Sequence, residues 1–319
     1  MKARRLRRAA LAATIFVTLA GAEAAEPDSC HVVRMSDPGW SDIGATTAMA
    51  GVVLSALGYQ QHVALLGVQV TFYALAHDEI DVFLGNWMPA QKTLVTPFLR
   101  AGSIDLLTPN LEDGKFTLAV PTEIAEQGVR NLSDLARFAD RFGRRIYGID
   151  AGSPANDNIL RMLDQRAFGL GDWSIIESSE QGMLSQVQRA QRHDQWIVFL
   201  AWEPHPMNLR FHITYLDGGD SYFGPDFGQT TINTLTRKDF AAECGNLGRL
   251  FRQMRFRSAD EDAVMSDIAD HKIEAPLAAE TYLRGRQDLL AAWLDGVTTR
   301  DGRDGLAAVQ AALGTPGRR

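Results

Sequence analysis

Apolar residues come in short blocks along most of this chain, separated by polar or small residues, and the blocks alternate in type. From residue 30 to residue 84 they run as follows. Cys30–Met35 is an extended run that ends at the turn Ser36-Asp37-Pro38-Gly39. Ala45–Leu57 is Ala/Thr-rich with helical character, and Gly58 is placed to stop it. His62–Leu66 is strand-like, Val70–His77 suits a short helix, and Ile80–Leu84 reads as a buried strand. This β-α-β-α-β order implies a parallel sheet covered by helices.

The alternation returns further on. Strands are expected at Phe116–Val120, Arg145–Ile149, Ser174–Glu177 and Trp196–Leu200, with helices at Asn131–Phe138, Asn158–Arg166 and Gly182–Gln191 between them. After about Leu209 the character changes. Two strands, His212–Leu216 and Thr230–Thr236, precede three helical segments near Gly245–Met254, Glu261–Asp270 and Leu277–Trp293. The fold class is therefore α/β, and 319 residues suffice for two lobes with separate cores.

The first residues belong to a different pattern. Lys2, Arg4, Arg5, Arg7 and Arg8 precede an apolar run from Ala9 to Leu19, and Ala22-Glu23-Ala24 supplies a small-x-small cleavage site. Residues 1–24 read as a secretory signal peptide. The run is shorter than the roughly 20 residues a membrane span needs. Gly21 is followed by Ala22 rather than cysteine, so a lipid anchor is not expected. The expectation is a diffusible, monomeric periplasmic protein. Without the leader's five bases and one acid, 27 basic and 38 acidic residues remain, a net charge of −11. That balance argues against nucleic acid as a partner.

There are two cysteines, Cys30 and Cys244. In an oxidising compartment an isolated pair suggests a bridge, with two separate buried thiols as the alternative. A bridge over so long a loop is worth up to about 4–5 kcal/mol in the chain-entropy model. It would return the C-terminal part to the first lobe, giving lobe I as residues 25–113 plus 208–319 and lobe II as 114–207. Two crossings make a hinge, and a small ligand is expected in the cleft between the lobes. No His or Cys cluster has metal-ligand spacing, and no cofactor is implied. The chain also lacks a Gly-x-Ser-x-Gly elbow, a His-Glu-x-x-His pair and a phosphate-cradling glycine loop, so catalysis is not expected.

Candidate chemistry lies in four aromatic residues near strand ends and turns. Trp40 follows Asp37-Pro38-Gly39, Trp87 follows Leu84-Gly85-Asn86, Phe116 opens a strand, and Trp202 precedes Glu203-Pro204-His205-Pro206. Each alone has an ordinary explanation in packing, and Asp42, two residues after Trp40, suits a helix N-cap. Together they suit a trimethylammonium group, which has no N–H to donate but is attracted to ring faces by roughly 0.5–2 kcal/mol each. Asp42 would add counter-charge and accept a hydroxyl proton. That favours choline over glycine betaine, whose carboxylate it would repel. Glycine betaine, carnitine and trimethylamine N-oxide are the alternatives.

Four segments, Ser36-Asp-Pro-Gly-Trp-Ser-Asp42, Val82-Phe-Leu-Gly-Asn-Trp-Met-Pro89, Ser178-Ser-Glu-Gln-Gly-Met183 and Val198-Phe-Leu-Ala-Trp-Glu-Pro-His-Pro-Met207, resemble the periplasmic choline-binding proteins of ABC importers. These belong to the wider glycine betaine/carnitine/choline-binding group. The resemblance implies a type II periplasmic-binding-protein fold, with the ligand closed between two α/β lobes and a membrane permease as partner. It places an aromatic box on Trp40, Trp87, Phe116 and Trp202, the acid near the ligand hydroxyl on Asp42, and the family disulfide on Cys30 and Cys244. Two positions depart from the pattern. Phe116 stands where the family usually has tyrosine. Ser153 stands where an asparagine is expected against the ligand, with Asn156 nearby to compensate.

Overall fold

A computed structural model of the chain describes residues 26–314, so the proposed leader, residues 1–24, lies outside the described residues. The first unit forms as its pattern dictates. β1 (Val32–Asp37) runs to Gly39, whose φ of +88° turns the chain into helix α1 (Ser41–Ala56). Gly58, at φ +89°, ends that helix as expected of a left-handed stop. β2 (Gln60–Leu65), α2 (Val68–Ala76), β3 (Val82–Met88) and α3 (Lys92–Ala101) follow. β3 is apolar and buried along nearly its whole length, consistent with a strand covered on both faces.

The remaining strands are β4 (Ile104–Pro121), β5 (Arg145–Tyr147), β6 (Ser174–Ile176), β7 (Phe199–Glu203), β8 (Ile213–Tyr215) and β9 (Gln229–Arg237). Their order is β2-β1-β3-β9-β4-β7-β5-β6, with β8 also on β4. The sheet is mixed, where the β-α-β pattern predicts a parallel one. Pairs β1/β2, β1/β3, β5/β6 and β5/β7 are parallel, but β9 runs antiparallel to both β3 and β4, and β4 antiparallel to β7 and β8. Apolar periodicity reports burial and not strand direction, so it cannot show that β9 returns and inserts between β3 and β4.

β4 is the element the sequence conceals most. Its 18 residues cross from one lobe to the other. Ile104–Lys115 pairs with β9, Lys115–Ala119 with β7, and Ala119–Pro121 with β8. Pro109, Asn110, Glu112, Asp113 and Gly114 break the apolar pattern, and register shifts at Leu106/Thr108, Pro109/Leu111 and Leu111/Gly114 absorb them. Gly114 sits where the crossing is tightest. A Cβ there would lie 3.1 Å from the carbonyl oxygen of Glu203 and 3.2 Å from that of Thr230.

Five helices close the described chain: Gly245–Gln253, Ser258–Ala269, Ala275–Arg284, Gln287–Trp293 and Gly305–Gly314. The run Leu277–Trp293 is thus two helices, interrupted at Gly285 and Arg286, and the last helix has no counterpart in the sequence reading. The helices Ser258–Ala269 and Ala275–Arg284 both pack against α1. Cys30 and Cys244 are joined in a disulfide with Cα atoms 5.7 Å apart, tying the start of β1's lobe to the C-terminal helices. Replacing both cysteines by alanine is expected to lower the unfolding free energy by about 2–5 kcal/mol. Urea denaturation followed by tryptophan fluorescence checks this, and an unchanged midpoint would contradict it.

Candidate ligand-binding site

The strand that crosses between the lobes also builds the site. Phe116 lies inside β4, not at its start, at the point where β4 leaves β9 and pairs with β7. Phe116 stands directly opposite Trp202 in that pairing. β7 begins three residues later than the apolar run suggests, so Trp202 is a strand residue, and β3 likewise extends through Trp87. Trp40 occupies the N-cap position of α1.

Trp40, Asp42, Trp87, Phe116 and Trp202 line one cavity together with Ala90, Gln91, Ile149, Pro154 and Ala155. Its space, open solvent at the mouth included, is about 350 Å³. The Trp87 and Phe116 rings are 6.2 Å apart and tilted by 55°. Trp87, Phe116 and Trp202 are buried and Trp40 half-buried. The lining set contains no Lys, Arg or His.

Asp42 is not the N-cap that its position before Gly44 suggests. It is the second residue of α1 and only 1% exposed. Its Oδ2 accepts the Trp87 Nε1–H at 3.0 Å, and its Oδ1 has no hydrogen-bond partner. Burial pushes the carboxyl up to about 8, and the negative charge of Glu180 adds to this, while the Trp87 bond acts in the opposite direction.

Ser153 and Asn156 do not line the cavity. Ser153 caps the helix Pro154–Asp164, its Oγ accepting the Asn156 backbone N–H at 3.2 Å. Asn156 is occupied by the backbone. Its Oδ1 accepts from Ile149 N–H at 3.0 Å, and its Nδ2 donates to the carbonyls of Ile149 and Asp150 and to Glu177. Their amide and hydroxyl groups hold the loop that presents Ile149, Pro154 and Ala155 to the cavity.

Three supporting residues escaped the sequence reading. Phe223 backs Phe116, ring centroids 5.9 Å apart. Gly228, at φ +73°, lets the chain pass β4, since a Cβ there would fall 1.9 Å from the Phe116 carbonyl oxygen. Gln91 pins β3 beside Trp87, donating to the Gly85 carbonyl at 2.9 Å and accepting from Asn86 at 3.0 Å. The repeated Phe-Gly of Phe223-Gly224-Pro225-Asp226-Phe227-Gly228 was a visible signal for the first two; Gln91 carried none. Among the described residues no cluster of His, Cys, Asp or Glu is suited to a metal ion, and no helix is long and apolar enough to cross a membrane.

A two-lobed α/β chain with an aromatic-walled cavity at the crossing of its lobes defines a solute-binding protein. Residues 31–285 match the substrate binding domain of ABC-type glycine betaine transport systems, and the chain belongs to that family. An ABC-transporter choline binding protein solved in complex with choline is 44% identical, with a TM-score of 0.88 over 91% of this chain and 100% of that one. An unliganded, semi-closed structure of an ABC-transporter choline binding protein is 43% identical, with a TM-score of 0.83 over 90% and 100% of the two chains. The glycine betaine/carnitine transport binding protein GbuC of Listeria monocytogenes is 26% identical over 165 residues, 52% of this chain and 54% of that protein. The protein is thus a transport substrate-binding protein and not an enzyme.

Asp42 makes the ligand-free protein's stability pH-dependent in a defined sense. A carboxyl raised from 3.8 to about 8 binds its proton more tightly when folded. Its penalty is absent below about pH 4, grows as the pH rises, and is complete above about pH 8. Asp42→Asn removes that penalty. The variant's melting temperature should match wild type near pH 4 and exceed it at pH 8.5, by about 2–4 °C per kcal/mol relieved. Thermal unfolding at the two pH values checks the sign.

Proposed function

We propose that this protein captures choline in the cavity at the lobe crossing and delivers it to the membrane permease of an ABC importer. The observation that carries the reading is the composition of the cavity wall. Four aromatic side chains and a buried carboxylate with one oxygen unpartnered share its lining, and no cationic side chain joins them. Ring faces suit the trimethylammonium head, and Asp42 Oδ1 suits the hydroxyl at the other end of choline. Glycine betaine and carnitine carry a carboxylate that would meet Asp42 with no Lys, Arg or His on the wall to receive it. The choline-bound structure at 44% identity supports the same choice.

Phe116 and Ser153 both bear on the ligand only modestly in this reading. Phe116 supplies a ring face without a hydroxyl, and Ser153 acts through the loop it caps. Closure would turn on two crossings of the chain, one in β4 near Gly114 and one where β9 begins at Gln229. This reading moves the second crossing beyond residue 208, the boundary the sequence suggests, on the ground that β8 pairs with the far end of β4. The protein is proposed to act as a monomer in the periplasm after removal of residues 1–24.

Calorimetry should give micromolar choline affinity, with quenching of tryptophan fluorescence. Trp87→Ala or Trp202→Ala should each weaken binding at least about 10-fold. Asp42→Asn should weaken choline more than glycine betaine. Choline should also exchange for the Asp42 proton. Affinity then rises from pH 6 to pH 8.5, by at most about tenfold per pH unit, and protons are released in proportion. A ligand that binds equally at both pH values, or a preference for glycine betaine, would overturn the assignment.

A further inference from the structure

The Ser178–Met183 segment does not line the cavity, yet it holds the most thoroughly bonded carboxylate near it. Glu180 is the first residue of the helix Glu180–Arg192, which follows β6 in the second lobe, and it is 2% exposed. Its Oε2 accepts the backbone N–H of Ser41 at 3.0 Å, and its Oε1 accepts the Ser41 hydroxyl. Ser41 is the first residue of α1 in the first lobe, directly after Trp40 of the cavity wall. Gln181 Nε2 donates to the same carboxylate at 3.0 Å, and His205 Nε2 lies 3.2 Å from it. His205 Nδ1 accepts the Met207 N–H at 2.9 Å, which leaves Nε2 to carry the proton and donate to Glu180.

α1 lacks a side-chain cap of its own. Trp40 stands at the N-cap position and makes no capping bond, so the first N–H groups of the helix depend on an acceptor from elsewhere. Glu180 supplies that acceptor across the cleft, and its negative charge sits at the positive end of the helix. Burial alone would push its carboxyl up, but the bonds from His205 and Ser41 outweigh this and hold it below the usual range. The two cavity walls flank this contact. Trp40 precedes Ser41, and the Trp202 ring meets His205 edge-on, centroids 5.1 Å apart.

We propose that Glu180 is a positioning residue that latches the lobes shut by capping α1 across the cleft, with His205 and Gln181 holding its carboxylate in place. The latch rests on the reading above that the lobes close over a ligand. Separation of the lobes would break both Ser41 bonds and leave the Glu180 charge without its helix. The carboxylate is fully bonded only in the closed form, so its bonds favour closure.

The test uses the full mature chain with spin labels on Glu79→Cys and Glu126→Cys, one exposed position on each lobe. Interlobe distance distributions are recorded with and without choline, and choline release is timed by stopped-flow fluorescence. Glu180→Gln and Ser41→Ala should each shift the distribution toward longer distances. Glu180→Gln should speed choline release by about 10–100-fold, and Ser41→Ala combined with it should add little, because the two substitutions break one contact. A residue serving only local packing would lower the melting temperature without moving the distances. Distances and release rates equal to wild type in Glu180→Gln, or effects that simply add in the double variant, would overturn the latch. If wild type gives no signal with choline, the ligand reading fails, while the ligand-free distances still decide the latch.

Discussion

The Asp42 carboxylate has been taken out of water with one side-chain hydrogen bond, from the indole of Trp87, and the backbone of Asp42 and Ile43 beside it. A buried charge in that position is costly unless something neutralises it. Burial, with the Glu180 charge beside it, pushes the carboxyl up to about 8, so in the empty protein at neutral pH a proton does so. A ligand that brings positive charge or a hydrogen-bond donor can take the proton's place, and aromatic walls suit a charge that is spread and carries no N–H of its own. The rest of the scaffold serves to hold this carboxylate and these rings at one place.

That place is set by β4. A single strand shared by both lobes fixes Phe116 against Trp202 by backbone pairing, so two of the four rings are located by register rather than by side-chain packing. Phe223 and Gly228 support this from the returning chain, one by filling the space behind Phe116 and the other by leaving room for the β4 carbonyl. Trp40 and Trp87 come from the other lobe, on the neighbouring elements α1 and β3. The strand that links the two pairs of rings carries a register shift between Leu111 and Gly114, just before Phe116.

The sequence disclosed the parts of this that depend on local chemistry. The glycine turns at Gly39 and Gly58 and the alternation of strands and helices were readable, because each follows from residues within a few positions of one another. The resemblance of their segments to the choline-binding group named the rings and Asp42 as a set, whereas the turn placement that singled out the tryptophans fits Trp40 but not Trp87 and Trp202, which are strand residues. What escaped was long-range. β9 enters the sheet antiparallel, and β4 runs through a polar stretch that bulges absorb. Ser153 stands where the resemblance expects an asparagine against the ligand, with Asn156 nearby, and the structure bonds both within the loop and helix start that carry them. A polar residue near a cleft has a nearer competitor in the loop that carries it, and sequence position alone does not tell which wins.

The two acidic groups near the cavity resolve their burial in opposite ways, and the contrast explains why binding and closure should be coupled. Glu180 collects donors from both lobes and stays ionised. Asp42, with one donor and the Glu180 charge nearby, does not. Under the proposed closure, bringing the lobes together would satisfy the first, while Asp42 in this form carries a burial cost that grows with pH. On that proposal a cation in the cavity would offset that cost without touching Glu180, which does not line the cavity. The free energy a ligand contributes is then partly the relief of a penalty the fold has built in, and it is realised only when the lobes meet. A ligand that touched the rings of one lobe alone would gain from neither carboxylate and could shift the equilibrium little, since only a difference in affinity between the open and closed forms moves that equilibrium.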